Sequence, residues 1–133
     1  MLPEGRGWLL VEFGGETKDE ADEKARKLMA ELKKGKGAPT GMKLYDDPPA
    51  EKHVWEVRES GLGATAFIPG KADTYEGWED SAVPPERVGD YLRELGKLAG
   101  RYGYESALYG HYGQGCIHAR WNFDLVTRDG IRT

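Results

Sequence analysis

Residues 109–125 read Tyr109-Gly110-His111-Tyr112-Gly113-Gln114-Gly115-Cys116-Ile117-His118-Ala119-Arg120-Trp121-Asn122-Phe123-Asp124-Leu125, and their pattern decides the fold. The second half alternates. Ile117, Ala119, Trp121, Phe123 and Leu125 fall on one parity, and His118, Arg120, Asn122 and Asp124 on the other. That period of two marks a half-buried strand. Residues 107–112 read as a second, aromatic-rich strand, and Gly113-Gln114-Gly115 has the composition of a tight hairpin. With Gln114-Gly115 as a two-residue turn, Gly113 faces Cys116, Tyr112 faces Ile117 and His111 faces His118. Directly opposed residues share a face, with Cβ atoms roughly 4.5–5.5 Å apart. Imidazoles so placed can bind one metal ion, although they fall short of the usual three or four ligands. The bland alternative makes both histidines ordinary polar-face residues.

The rest of the chain sets bounds. Its 133 residues fit one domain, 1–133, long enough to bury a core. The net charge of −4 comes from interspersed signs with no basic block, which argues against nucleic acid. No apolar run is long enough to span a membrane, and residues 1–6 lack the apolar stretch of a signal peptide. The one cysteine, Cys116, excludes an internal disulfide and suits a reducing compartment, so a cytoplasmic setting is expected.

Gly7 to Phe13 reads as a central strand, apolar on nearly both faces. Thr17-x-x-Glu20 is a capping-box pattern, opening a helix with the stripe Ala21, Ala25, Leu28, Met29 and Leu32. Its charges read as a solvated face, with Glu20–Lys24 and Asp22–Arg26 at the favourable i, i+4 spacing. Met42 to Tyr45 reads as a short strand. A second helix runs from Pro49 or Ala50 to about Ser60, and Gly61 to Ala64 breaks it. Thr65 to Ile68 is short and apolar, residues 69–77 are loop-like, and 78–83 fits a strand. Pro84-Pro85 starts a helix with the stripe Val88, Tyr91, Leu92, Leu95 and Leu98, closed by Gly100 and Gly103. Residues 126–133 are polar and trail off. This order predicts an α+β fold: a ferredoxin-like sandwich, mostly antiparallel sheet with helices on one face. No Walker loop and no dinucleotide fingerprint occurs.

Three stretches, Trp55-Glu56-Val57-Arg58-Glu59, Glu79-Asp80-Ser81-Ala82-Val83-Pro84 and Gly110 to His118, stand in an order that resembles the C-terminal, substrate-side domain of FAD-linked oxidases. That family includes D-lactate, glycolate and D-2-hydroxyglutarate dehydrogenases. The ending Ala119 to Leu125 looks most like the long members, in which an iron–sulfur (4Fe-4S) region follows. The resemblance covers roughly residues 7–128.

The resemblance implies that His111 and His118 ligate a divalent metal, often zinc, with His118 thereby the catalytic residue. It implies that Arg58 holds a substrate carboxylate, a role suited to the bidentate guanidinium fork. In such enzymes a flavin takes a hydride from the C2 carbon of a 2-hydroxy acid while the metal polarises the hydroxyl. The sequence also departs from the pattern. Gln114-Gly115-Cys116 stands where many members have Asp-Gly-Asn. A substrate-binding lysine would fall near Trp78 or Glu79, and neither can replace it. Arg120 stands where a polar residue, often Asn, is usual, and an arginine there suits a second carboxylate. The expectation is an excised part of a longer chain, inactive alone, with the FAD-binding domain of the same parent chain as its partner. The third metal ligand would then lie elsewhere in that chain.

The other titratable or aromatic candidates read structurally. Cys116 is a small buried residue, and Trp8, Trp55 and Trp121 are core residues. Tyr109 and Tyr112 line either a pocket or the core. Glu79 and Asp80 are neighbours pointing to opposite faces. A rival reading makes the chain a stand-alone ferredoxin-like small-molecule-sensing or protein-interaction module. A structural zinc domain ranks last, because two histidines cannot close such a site.

Overall fold

The computed structural model describes residues 2–75 and 80–133. Its helices and antiparallel sheet form an α+β fold. The chain divides into two compact units, Met1–Arg58 and Glu59–Thr133.

The first unit contains α1 (Lys18–Leu32) and most of α2 (Pro48–Glu59). Thr17 caps α1: its Oγ1 accepts the Glu20 N–H at 3.3 Å, while the Glu20 carboxylate accepts the Glu16 N–H at 2.9 Å. Lys24 pairs with Glu20 at 2.7 Å and Arg26 with Asp22 at 3.4 Å, as the i, i+4 spacing predicts. Hydrogen bonding to Lys18 holds the Asp22 carboxyl below its ordinary range. Residues 7–13 and 42–45 are not strands. An apolar run makes a strand only where a neighbour offers a ladder, and neither segment enters one among the described residues. Leu9, Val11 and the α1 stripe line an open cavity of about 470 Å³. Val54 alone of the described residues of this unit is buried.

The second unit holds the sheet. Strands β1 (Asp80–Ala82), β2 (Ser106–His111) and β3 (Cys116–Trp121) form an antiparallel sheet in the order β1-β3-β2. The alternation expected in β3 is realised: Ile117, Ala119 and Trp121 are buried, while Cys116, His118 and Arg120 are half-buried. It stops at Trp121. Asn122 instead turns its side chain to accept the Glu105 N–H at 2.8 Å, Phe123 stacks on Trp121, and Leu125 is exposed. Helix α4 (Val88–Tyr102) follows a 3-10 turn over Pro85–Arg87 and ends on Gly103 at φ 72°. Its Tyr91 donates to Ser81 at 2.6 Å, on the Ile117 face.

Three expectations are corrected here. Residues 61–66 form a short helix, α3, which lies against β2 on the Tyr109 side. Helices thus approach both faces of this sheet, and the described residues do not complete a ferredoxin-like sandwich. The tail carries α5 (Arg128–Arg132), capped by Thr127, whose Oγ1 accepts the Gly130 N–H at 3.1 Å.

The hairpin register is also corrected. Residues 112–114 form a 3-10 turn and Gly115 takes φ 73°, so the connection is longer than two residues. His111 faces Cys116, Gly110 faces Ile117 and Tyr109 faces His118. Gln114 and Gly115 were expected to supply a two-residue turn, but a left-handed residue after a helical turn also reverses the chain. Glycine is required at 115. A Cβ there would stand 1.8 Å from the Val83 carbonyl oxygen, and Val83 donates its N–H to the Gly115 carbonyl at 3.0 Å. A Cβ added at Gly113 would meet no other part of the protein within 4 Å.

Gly115→Ala is therefore expected to cost roughly 2–4 kcal/mol, from left-handed backbone strain plus steric overlap. Gly113→Ala is expected to change stability by less than about 0.5 kcal/mol. Urea denaturation followed by tryptophan fluorescence checks both.

The tail should respond to acid. Hydrogen bonds from Thr127, and further from the Val126 N–H, depress the Asp124 carboxyl below its ordinary value. The folded form is then favoured above the unfolded carboxyl value of about 3.9 and loses that contribution as pH falls through the lower folded value. Amide exchange at Val126, Thr127 and α5 should accelerate across that acidic window in the native chain, and not in Asp124→Asn.

Candidate functional site

On the polar face of the sheet, the strand register lays side chains out in rows. Ala82, Cys116 and His111 form one row, and Asp80, His118 and Tyr109 the next. Arg120 follows beside Ala107. A two-residue shift preserves parity, so His111 and His118 share a face as expected. They are diagonal neighbours and not opposed ones. Diagonal neighbours lie roughly 7–8 Å apart, somewhat less between Cβ atoms, which still allows two long side chains to converge on one point.

His118 is the best-held group on this face. Its Nδ1 lies 2.6 Å from Asp80 Oδ1. On its other side the Tyr109 ring stacks with centroids 5.8 Å apart and planes at 27°. Tyr109 in turn is backed by α3, where a Cβ on Gly61 would stand 2.8 Å from its Cε2. Asp80, Tyr109 and Gly61 thus fix one imidazole from two sides. His111, at the end of β2, is exposed, and the neighbouring Tyr112 phenol is pushed up from its usual range by burial.

Other candidates fall elsewhere. Arg58 closes the first unit, on the last turn of α2, with its guanidinium carbon 5.6 Å from the Trp55 ring centre. Cys116 opposes His111 instead of Gly113 and is half-buried. Trp121 is core as expected, but Trp8 is 51% and Trp55 38% exposed. Trp78 and Glu79 lie outside the described residues. Asp80 is the site residue that sequence reading missed. Its adjacency to Glu79 drew attention to opposite-face parity, while its pairing with His118 depends on a partner far along the chain.

A metal needs a suitable donor set. Among the described residues no group of three or more His, Cys, Asp or Glu side chains converges as ligands would. Two imidazoles on one face fit part of a site, with the remaining donors supplied from elsewhere. Among the described residues no helix is long and apolar enough to cross a membrane.

The family model described as "FAD linked oxidases, C-terminal domain" matches residues 1–132. A D-2-hydroxyglutarate dehydrogenase of Pantoea ananatis is 29% identical over 123 residues, covering 90% of this chain and 12% of the relative. That of Escherichia coli is 26% identical over 123 residues, again 90% and 12%. A D-lactate dehydrogenase of Archaeoglobus fulgidus is 44% identical over 39 residues, covering 29% of this chain and 9% of the relative. The chain thus spans about 12% of the length of the first two relatives. No solved structure matches.

If Gly61 backs Tyr109 and Tyr109 backs His118, Gly61→Ala should turn the tyrosine ring and shift the His118 ring-proton resonances. Gly63→Ala should leave them in place, because a Cβ added at Gly63 would meet no other part of the protein within 4 Å. Proton NMR of the two variants makes the comparison.

Proposed function

Since the chain belongs to the family of FAD linked oxidases, C-terminal domain, we propose that it is the substrate- and metal-binding part of a flavin-dependent oxidoreductase that oxidises a 2-hydroxy acid. The observation that carries this reading is His118, held between Asp80 and Tyr109 on the face it shares with His111. In this reading residues 1–133 are one stretch of the substrate-side domain of a longer cytoplasmic protein, peripheral to a membrane if it meets one. They do no chemistry without the FAD-binding domain of the same parent chain. A 4Fe-4S region lies elsewhere in that chain.

His111 and His118 would hold a divalent cation such as Zn²⁺. The cation would polarise the substrate hydroxyl, and the flavin would accept the C2 hydride. No residue of this chain is assigned to the flavin. The protein's own contribution is to present two imidazoles on a rigid hairpin and to bind carboxylate. Arg120, on the His118 face, and Arg58, at the end of α2, each offer a guanidinium for that purpose. Hydride transfer demands that the substrate C2 be held in one orientation, which a bidentate carboxylate contact provides. The rival reading, a stand-alone sensing or interaction module, is not favoured, because the relatives reported above carry dehydrogenase names.

The isolated chain is expected to bind Zn²⁺ or Ni²⁺ weakly, as a two-imidazole site should. Calorimetry on His111→Ala and His118→Ala tests the assignment. Loss of binding in both supports it, and unchanged affinity in both removes it.

A further inference from the structure

We propose that Asp80 is the positioning residue for His118: by accepting a hydrogen bond from Nδ1–H it selects the Nδ1–H tautomer and leaves Nε2 as the nitrogen that bears the free lone pair.

The geometry is specific. Asp80 and His118 are cross-strand partners in the β1–β3 ladder, so the backbone register brings them together. The short Nδ1···Oδ1 separation of 2.6 Å fits a hydrogen bond strengthened by the carboxylate charge. An ionised carboxylate can only accept, so the proton must sit on Nδ1. The Asp80 side chain is 80% exposed and that of His118 29% exposed. Tyr109 stacks across the imidazole and limits rotation of its plane. With Nδ1 committed to Asp80, a cation or substrate hydroxyl on this face meets Nε2. A histidine ligand whose other nitrogen donates to a carboxylate is more basic and better oriented. That second consequence rests on the metal reading proposed above; the tautomer selection does not.

The two halves separate experimentally. In the ¹⁵N-labelled chain at a pH roughly two units above the usual imidazole value near 6.5, long-range ¹H–¹⁵N correlation reports which nitrogen carries the proton. Native His118 is expected as Nδ1–H. Asp80→Ala should move it to the Nε2–H form that an unrestrained imidazole prefers. Asp80→Asn, whose side-chain oxygen still accepts, should restore Nδ1–H. An amide fingerprint spectrum confirms that each variant is folded. Retention of the Nδ1–H form in a folded Asp80→Ala, or an Nε2–H form in the native chain, would overturn the proposal.

Zinc calorimetry then tests the consequence. Asp80→Ala should bind Zn²⁺ roughly 10–100-fold more weakly. A tautomer change without any loss of affinity would overturn the metal-positioning role. If zinc affinity is unchanged in both His111→Ala and His118→Ala, the metal reading has failed, while the tautomer result stands by itself.

Discussion

The site depends on how closely the chain can pass behind Gly115. The Val83 carbonyl oxygen lies where a side chain would begin, and the Val83 N–H donates to the Gly115 carbonyl. Glycine is needed both for that approach and for the left-handed backbone. This contact ties the end of β1 to the start of β3, and the 3-10 turn before it closes the hairpin with a longer connection than two residues. The register of all three strands follows from it.

Register has chemical consequences because side chains alternate. A shift by one residue would have turned His118 toward the α4 side and Ile117 and Ala119 away from it. The shift by two keeps the polar face intact and changes only who stands beside whom. His118 gains Tyr109 in place of His111, and His111 gains Cys116. One histidine is thereby held rigidly and the other left exposed at the strand end. Such asymmetry suits a site in which one ligand is fixed in advance and the rest close on it.

Parts of this were legible in the chain. The buried face of β3 was legible because period-2 alternation is a local property and the strand is paired on both sides. The capped helix α1 was legible for the same reason, since Thr17, Glu20 and the i, i+4 ion pairs are within one or two turns of each other. Residues 7–13 carry an equally apolar pattern and are not a strand, because pairing is a property of two segments and the pattern describes only one. Residues 61–66 contain glycines that read as a break, yet they form α3. Gly61 is there because Tyr109 needs the space a side chain would fill, a contact with a residue far away in sequence.

By itself the sequence determined the α+β class, the buried parity of the last strand, the shared face of His111 and His118, and the family resemblance. These rest on residue types and short spacings, which survive any even change of register. Only the tertiary structure decided that Asp80 meets His118, that Tyr109 stacks on it, and that the two histidines are diagonal. Those pairings join residues on separate strands, and their alignment is set by backbone hydrogen bonds and by the close approach at Gly115, which no periodicity along a single segment encodes.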